Sequence, residues 1–376
     1  MITNIPKHWK IKKLGEIGKV KMCKRIFKDQ TNKDSNGIPF YKIGTFGGIP
    51  DAFISKELYN EYKNKYPYPK KGDVLISAAG TIGRLVVFDG TPSYFQDSNI
   101  IWIENDENIA LNKYLYHLYS NVKWKTTEGG IVSRLYNADI ESLELPIPPL
   151  EEQEKIAEML LTCDKAIRLT TQIITQLKQR NQGLAQQLLT GEKRVKGFEK
   201  SVWKEVKLGE LLDYEQPTNY LVKNTDYSNE YKIPVLTAGK TFILGYTNEK
   251  EGICTNIPLI LFDDFTTDSR YIDFPFKVKS SAVKLLKTKK NVNLRFIFEA
   301  MKLIKYAIGG HERHWISKYA FLTIFVPSFK EQNAIAQILD TAHQELKLYE
   351  QKLQLLQAQK KTLMQKLLTG EVLTLA

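Results

Sequence analysis

The sequence contains a long internal repeat. The segment LAQQLLTGE (residues 184–192) recurs as LMQKLLTGE (residues 363–371), and the same offset of 179 positions aligns residues 147–192 with residues 326–371 without a gap. In that window 17 of 46 positions are identical. Upstream, WKIKKLGE (residues 9–16) resembles WKEVKLGE (residues 203–210) at an offset of 194. The chain therefore consists of two copies of one sequence repeat, each a variable block followed by a fixed block.

Each fixed block predicts a long coiled-coil helix. Acidic residues follow Pro149, where a helix N-terminus favours negative charge, and Gly191 stands where a helix would end. Between them, apolar positions advance in alternating steps of four and three, which is typical of a coiled-coil seam. The apolar seam residues are Ile156, Leu160, Ile167, Ile174, Leu177, Leu184 and Leu188 in the first copy and Ile335, Leu339, Leu346, Leu353, Leu356, Leu363 and Leu367 in the second. Matching interruptions stand at Thr170 and Asn181 and at Tyr349 and Lys360.

The repeat predicts how these blocks are arranged. Two helices of about 40 residues, each with one apolar face, most simply pack against each other. The second variable block leaves the end of the first helix and enters the start of the second, which favours an antiparallel pair because domain termini tend to lie close together. We expect an α+β protein with one β-rich domain at each end of the pair and pseudo-two-fold symmetry. The alternative is two long helices buried separately in unrelated domains.

The variable blocks predict small β-rich domains, because short apolar runs alternate with turn residues and each block has one helical stretch near its end. We place domain 1 at residues 1–148, the first helix at 149–192, domain 2 at 193–327 and the second helix at 328–376. Glycine-rich loops carry basic and hydroxyl residues in IGTFGG (43–48), SAAGTIGR (77–84), TAGKTF (237–242) and GGHERHW (309–315).

Positive charge is concentrated in the variable blocks. Residues 1–150 contain 21 Lys and Arg against 16 Asp and Glu, and residues 193–329 contain 22 against 15. The fixed segments 151–192 (5 against 6) and 330–376 (6 against 5) are nearly neutral. The excess charge either keeps the domains in solution or faces a polyanion such as DNA.

Composition narrows the class of protein. A hydrophobic content of 43% is ordinary for a folded chain. Three scattered cysteines suggest neither a disulfide framework nor a metal site. No targeting segment and no run of about 18 apolar residues is evident. We therefore expect a cytoplasmic protein.

Motifs that resemble active sites are incomplete. Asp51 followed by Glu61 and Lys63 formally matches a metal-dependent nuclease, but the segment LYNEYKNKYPYP (residues 58–69), which contains Glu61 and Lys63, is polar, rich in tyrosine and broken by proline. The segment His311–Glu312–Arg313–His314 is one residue short of the His-Glu-x-x-His zinc motif. The sequence has neither a glycine-rich cofactor loop nor the Asn/Asp-Pro-Pro-aromatic tetrapeptide of an amino-methyltransferase. We predict no catalytic or metal site in this chain.

The whole pattern resembles the specificity subunit of type I restriction-modification systems. The residues that carry the resemblance are the paired EEQEKIA and KEQNAIA segments, the heptad helices, the LLTGE endings and, in domain 1, WKIKKLGE and GDVLISAAGTIG. Domain 2 departs from the pattern, because NIPLILFDDFTTDS stands where a GDVL…GTIG phrase is expected.

The resemblance implies a function. Each domain would read one part of a split, asymmetric double-stranded DNA target, and the helices would set the gap between the parts. Family members are not catalytic themselves. They bind two modification subunits, which methylate adenine with S-adenosylmethionine, and a restriction subunit joins the complex. No cofactor is expected on this chain.

We hypothesise direct DNA contacts from the loop residues Lys42, Thr45, Thr81, Arg84, Ser133 and Arg134 in domain 1 and Lys240, Thr241, Arg313, His314 and Lys318 in domain 2. Two other functions stay open: a coiled-coil scaffold with protein-binding end domains, and a stand-alone nuclease built on Asp51, Glu61 and Lys63.

Overall fold

Each copy of the sequence repeat forms a domain of short strands followed by one long helix. The computed structural model describes residues 5–124, 134–237, 241–306 and 314–372. The chain divides into two compact units: unit 1 contains residues 1–171 and 352–376, and unit 2 contains residues 172–351.

The first copy provides nine of the strands and five of the helices described. The strands are Lys10–Lys13 (β1), Gly18–Met22 (β2), Ile38–Tyr41 (β3), Phe53–Ile54 (β4), Val74–Ser77 (β5), Leu85–Val87 (β6), Tyr94–Phe95 (β7), Ile100–Asn105 (β8) and Glu144–Ile147 (β9). The helices are Leu14–Ile17 (α1), Lys56–Lys65 (α2), Asn112–Asn121 (α3), Asn137–Glu141 (α4) and the long helix Leu150–Leu189 (α5).

The second copy follows the same order without a counterpart of α2. Its strands are Lys204–Lys207 (β10), Leu212–Glu215 (β11), Ile233–Leu236 (β12), Ile243–Thr247 (β13), Leu259–Asp263 (β14), Ser269–Ile272 (β15), Lys277–Val278 (β16), Val283–Thr288 (β17) and Thr323–Val326 (β18). Its helices are Leu208–Leu211 (α6), Leu294–Lys302 (α7), His314–Ser317 (α8) and the long helix Phe329–Thr369 (α9).

In unit 1 the domain is built on two small sheets. Antiparallel pairing gives the order β2-β8-β5-β6, and a three-stranded sheet has the order β4-β3-β7, in which β3 and β7 are parallel. Strand β5 is buried along its whole length, because it lies inside the four-stranded sheet between two apolar clusters. Strand β1 of the WKIKKLGE segment pairs with β9, which leads directly into α5.

The two long helices run antiparallel within unit 1. Ile156 and Leu160, near the start of α5, share a buried cluster with Leu363 and Leu367 from the end of α9. Lys360 is an interruption of the predicted seam, and its ammonium bonds the Asp164 carboxylate. Burial of the apolar seam stabilises the pair by about 1.5–3 kcal/mol per large side chain.

A buried Glu-Gln pair attaches the domain of unit 1 to α5. The Glu152 carboxylate accepts a 2.9 Å bond from the Trp9 indole N–H and lies 2.6 Å from the His8 ring. The Gln153 side chain accepts a 2.7 Å bond from Leu111 N, just before α3, and donates to the carbonyls of Ile109 and Pro148. Both side chains are fully buried. Because unpaired buried polar groups are costly, this segment can hold its place only with these partners present.

Unit 2 repeats this plan with its own residues. Its four-stranded sheet has the order β11-β17-β14-β15, its three-stranded sheet has the order β13-β12-β16, and β10 pairs with β18. Gln332 accepts from Asn293 N just before α7, as Gln153 does before α3. Glu331 bonds the Arg194 guanidinium at 3.0 Å and also accepts from Ser201.

The helices are antiparallel within unit 2 as well. Leu188 near the end of α5 shares a cluster with Ile335 and Leu339 of α9. Asn181, another predicted interruption, donates from its side-chain nitrogen to the Ala342 carbonyl at 2.8 Å. A buried polar side chain with one satisfied partner favours one register of the helices over its alternatives.

The glycine of each LLTGE segment ends its helix. Gly191 and Gly370 have φ values of +75° and +72°, the left-handed conformation that glycine adopts without strain. The predicted α+β class and both predicted long helices are confirmed. None of the helices in the described ranges combines the length and the apolar character that a membrane crossing requires.

Candidate nucleic-acid interface

In domain 1 the predicted contact loops meet at one edge of the sheets. Ile43 N donates to the Gln96 side chain at 2.9 Å, which joins loop 43–48 to loop 96–99. The Arg84 guanidinium donates to the Phe46 carbonyl at 2.8 Å and so joins loop 78–84 to loop 43–48. Arg134 donates to the Ser98 carbonyl at 2.7 Å. Three loops and Arg134 therefore form one connected surface, which we call the domain 1 loop surface.

Glycines allow these loops to turn tightly. Gly80 and Gly83 have φ values of +64° and +80°, and a Cβ atom on Gly83 would lie 2.5 Å from the Trp124 ring. Side chains other than glycine are disfavoured in this backbone region. The Ser77 hydroxyl accepts from Arg84 N at 2.8 Å and donates to the Thr81 carbonyl at 2.5 Å, which closes the loop. Thr81 and Arg84 are exposed as a result.

Arg84 is suited to contact DNA. A guanidinium carries five N–H donors, and the bond to Phe46 uses one of them. An exposed Arg on a fixed loop can bind a phosphate or the two acceptors of a guanine edge.

Lys42 and Thr45 are held close together. The Thr45 hydroxyl accepts from Lys42 N at 3.1 Å. The Lys42 ammonium lies 2.7 Å from the Asp51 carboxylate. The hydrogen bond from Lys42 lowers the pKa of Asp51 below its usual value. Part of the Lys42 charge is thus already compensated, and Ser133 lies outside the described residues.

In domain 2 the loop of residues 264–268 corresponds to loop 78–84. Asp263 N donates to the Asp268 carbonyl at 2.8 Å, as Ser77 N donates to the Arg84 carbonyl at 2.9 Å. In both cases the residue at the strand end also holds the loop with its own side chain, a hydroxyl in Ser77 and a carboxylate in Asp263. The sequence does not reveal this loop, because DDFTTDS lacks the glycines of SAAGTIGR.

The structure requires a correction for His314. Its side chain is fully buried. Its backbone N–H donates to the Asp264 carbonyl at 3.0 Å, just as Leu135 N donates to the Ala78 carbonyl at 2.9 Å. His314 therefore occupies the position of a core leucine, and its side chain is not accessible to DNA. The offset of 179 residues would have shown this, because it aligns Leu135 with His314 and Arg134 with Arg313.

Of the other four predicted contact residues in domain 2, the structure describes two. Thr241 and Lys318 are exposed. Lys240 and Arg313 lie outside the described residues.

The structure does not assemble the formal nuclease motif. Asp51 is paired with Lys42 and lies before β4. Glu61 and Lys63 are exposed residues of helix α2, not of strands beside Asp51. Lys63 lies over the rings of Tyr59 and Tyr68 at 5.4 and 5.2 Å. Within the described ranges, no group of three or more His, Cys, Asp or Glu side chains is placed to hold a metal ion.

The predicted seam residues near the helix ends belong to the buried clusters of unit 1 and unit 2. Each of them is buried or half-buried. The fully buried ones at the domain ends are Ile156, Leu160, Leu188, Ile335, Leu339 and Leu367.

Comparison with known proteins covers both units. The family model for the type I restriction modification DNA specificity domain matches residues 6–179 and 200–358. A putative type I restriction enzyme specificity subunit of Haemophilus influenzae is 58% identical over 172 residues, which is 46% of this chain and 44% of that protein. The EcoR124I/EcoR124II specificity subunit of Escherichia coli is 47% identical over 146 residues, 35% of this chain and 36% of that protein. Each alignment thus spans less than half of the relative's length.

Other matches extend over nearly the whole chain. The putative MjaX specificity subunit of Methanocaldococcus jannaschii is 26% identical over 412 residues, covering 99% of this chain and 95% of that protein. The crystal structure of a type I restriction-modification S subunit from M. genitalium shares the fold with a TM-score of 0.66 over 97% of each chain, at 16% identity. Because the family model matches most of the sequence in two segments, the chain belongs to the family of type I restriction-modification DNA specificity subunits.

Proposed function

We propose that this chain reads an asymmetric, two-part DNA target, with domain 1 and domain 2 each recognising one part. The observation that carries the proposal is that one backbone framework presents different side chains in the two domains. Thr81 and Arg84 are exposed on the loop of domain 1, whereas Phe265 and Thr266 are exposed on the corresponding loop of domain 2. Different base-reading groups on equivalent loops would select different sequences.

The charge distribution supports this proposal. The two domain segments carry the net positive charge of the chain, and the helical segments are close to neutral. Phosphate contacts by Lys and Arg supply much of the affinity of proteins for DNA.

We further propose that two adenine methyltransferase subunits dock on the long helices. Large apolar residues are exposed at equivalent positions of α5 and α9, which is the pattern expected if two copies of one partner bind. The pairs, with exposed fractions, are Leu150 (41%) and Phe329 (42%), Met159 (40%) and Ile338 (36%), and Leu169 (43%) and Leu348 (64%). S-adenosylmethionine would bind to those partners and not to this chain, and a restriction subunit would join the same complex.

The direct test is to express the gene together with that of its modification subunit and to determine the sequence context of every methylated adenine. The proposal predicts a motif of two short, different parts separated by a fixed number of unspecified bases. Methylation without such a motif, or none attributable to this gene, would contradict it.

Binding of the purified chain to DNA at several salt concentrations separates the alternatives. Recognition through several phosphates should weaken by orders of magnitude between about 50 and 200 mM salt. A scaffold that binds proteins through apolar contacts should show little change. Cleavage of plasmid DNA with Mg²⁺ that is lost in Asp51→Ala would instead support the nuclease alternative.

A further inference from the structure

The loop of residues 264–268 presents Phe265, Thr266 and Asp268 to solvent from a fixed backbone, and the Asp268 carboxylate lies 3.0 Å from the Arg270 guanidinium. Phe265 is 41% exposed, and its backbone N–H donates to the Asp263 carboxylate at 2.9 Å. The other carboxylate oxygen accepts from the Thr266 hydroxyl. Thr267 N donates to the Asp263 carbonyl at 2.9 Å and has a φ value of +58°. A buried carboxylate therefore holds the loop in one shape and leaves the Phe265 ring facing outward.

The base of this loop is fixed by a buried ion pair. The Asp264 carboxylate accepts from Trp315 N at 2.9 Å and lies 3.2 Å from the Lys284 ammonium. Asp264 and Lys284 are 1% and 0% exposed. Burying two charges costs desolvation energy even when they are paired.

The fold does not require this ion pair. Ala78 in domain 1 occupies the position of Asp264. Each residue donates its backbone N–H to the loop before the neighbouring strand, which is β8 for Ala78 and β17 for Asp264. Ile101 occupies the position of Lys284, since they pair with the corresponding residues Ile76 and Phe262 of the adjacent strands. Domain 1 folds with apolar residues at both positions, so the charges in domain 2 serve the particular conformation of its loop.

The chemistry of the exposed group indicates what it contacts. A phenylalanine ring has no hydrogen-bonding group, so it can read a base only by apolar contact. In the major groove the C5-methyl group of thymine is the apolar feature that distinguishes one base pair from the others. Phe265 lies on the loop that corresponds to the exposed loop of domain 1, and its segment carries excess positive charge. DNA therefore fits this surface better than an apolar protein does.

We propose that Phe265, supported by Thr266, contacts a thymine methyl group and specifies an A·T pair in the DNA part read by domain 2. This inference rests on the proposed DNA-reading function. It adds a specificity-determining residue that the glycine-rich loop pattern of the sequence does not reveal.

The first experiment uses the wild-type complex with its modification subunit and a duplex carrying the motif found by methylation analysis. Each thymine in the half read by domain 2 is replaced in turn by deoxyuridine, which lacks only the methyl group. One replacement should weaken binding about four-fold, the effect of exposing one buried methyl group. A domain 2 half without any A·T pair, or one in which no replacement has an effect, would overturn the proposal.

The second experiment compares Phe265→Ala and Phe265→Gln with the matched control Phe321→Ala. Phe321 is 61% exposed and lies in the turn Tyr319–Phe321, where the Lys207 ammonium lies 5.9 Å from its ring. The Phe265 variants should lose the deoxyuridine penalty and accept other bases at that one position. The control Phe321→Ala should keep the penalty and the base preference of the wild type.

An unchanged motif and an unchanged deoxyuridine penalty in a folded Phe265 variant would refute the contact. This failure differs from failure of the proposed function, which would appear as the absence of a two-part motif in the wild type. A wild-type series in which no deoxyuridine replacement weakens binding refutes the contact whether or not the Phe265 variants fold.

Discussion

Arg84 joins two loops of domain 1 through one of its five guanidinium N–H donors. Its bond to the Phe46 carbonyl fixes the guanidinium at the domain 1 loop surface. If Arg84 reads a base, Arg84→Ala should weaken binding to the cognate duplex by about 1–3 kcal/mol and relax one position of the motif. The measurement is binding to duplexes that differ at single positions.

Arg84→Lys is the matched control, because it keeps the charge but not the planar fork of donors. If each variant weakens binding to all the duplexes by the same factor, whatever their sequence, Arg84 contacts phosphate and not a base.

His117 is an uncharged histidine in the core of unit 1. It is fully buried on α3, and burial lowers its pKa to about 4 despite the Asp164 carboxylate 4.0 Å away; Lys360 nearby lowers it further. Because the unfolded chain binds a proton on this group at a higher pH than the folded chain does, stability should fall as the pH drops from about 6.5 to about 4. A shift of this size corresponds to a loss on the order of 3 kcal/mol.

Urea denaturation at pH 7.5 and pH 5 tests this prediction in the wild type and in His117→Leu, which cannot be protonated. The variant should lose clearly less stability over that interval. Equal losses in the two proteins would show that other groups cause the effect.

Residue roles within the loops could be predicted only in part. The loops that carry Thr45 and Arg84 are joined by the Arg84–Phe46 bond, and the contact of their side chains with DNA stays a prediction. The segment GGHERHW predicts a loop position for His314, yet the backbone bond of His314 to Asp264 places it in the core, as the bond of Leu135 to Ala78 does in domain 1. The type of a residue does not by itself reveal whether its side chain is buried, because burial depends on which strand end that part of the chain packs against.

At the scale of elements, a contact between a histidine and a carboxylate links each domain helix to its long helix, with the two residue types exchanged between the units. In unit 1, His117 of α3 lies 4.0 Å from Asp164 of α5. In unit 2, Glu299 of α7 lies 4.0 Å from His343 of α9. The offset of 179 aligns Asp164 with His343, so the two units use the same position with the roles reversed.

The glycine that ends α9 is required by geometry, whereas Gly183 within α5 is not. A Cβ atom on Gly370 would lie 2.3 Å from Pro6, and the residue has φ +72°. A Cβ atom on Gly183 would meet nothing within 4 Å. Gly370→Ala should therefore lower the free energy of unfolding by at least about 1 kcal/mol, and Gly183→Ala should raise it by about 1 kcal/mol.

Thermal unfolding of the two variants measures these opposite changes. Destabilisation by Gly183→Ala would mean that this exposed helical position has a packing role that the structure does not show. An unchanged melting temperature for Gly370→Ala would contradict the proposed helix end.

The long helices were predictable because their heptad pattern extends over many turns and is written twice. The short strands were predictable only as β-rich blocks. Strand β7, Tyr94–Phe95, and its partner in parallel pairing, β3, lie far apart in sequence, and no local pattern specifies such a pairing. The Glu-Gln pair was visible as a repeated motif, but its role in fixing each domain to its helix became clear only from its buried partners.

For the whole molecule, the repeat separates what is common to the units from what differs. The common parts are the helix seam, the Glu-Gln pair and the strand that leads into each long helix. The differing parts are the loops and the residues that support them, such as Asp264 and Lys284. This division agrees with our proposal that the two domains read different sequences while the same kind of partner binds each helix.

The central claim is that each domain independently specifies one part of the DNA target. The most direct test replaces residues 1–145 with the corresponding domain of another family member and determines the context of methylated adenines in cells that express the modification subunit. We predict that one part of the motif changes while the other part stays as in the wild type. A motif that is unchanged, or one in which both parts change, would contradict the claim.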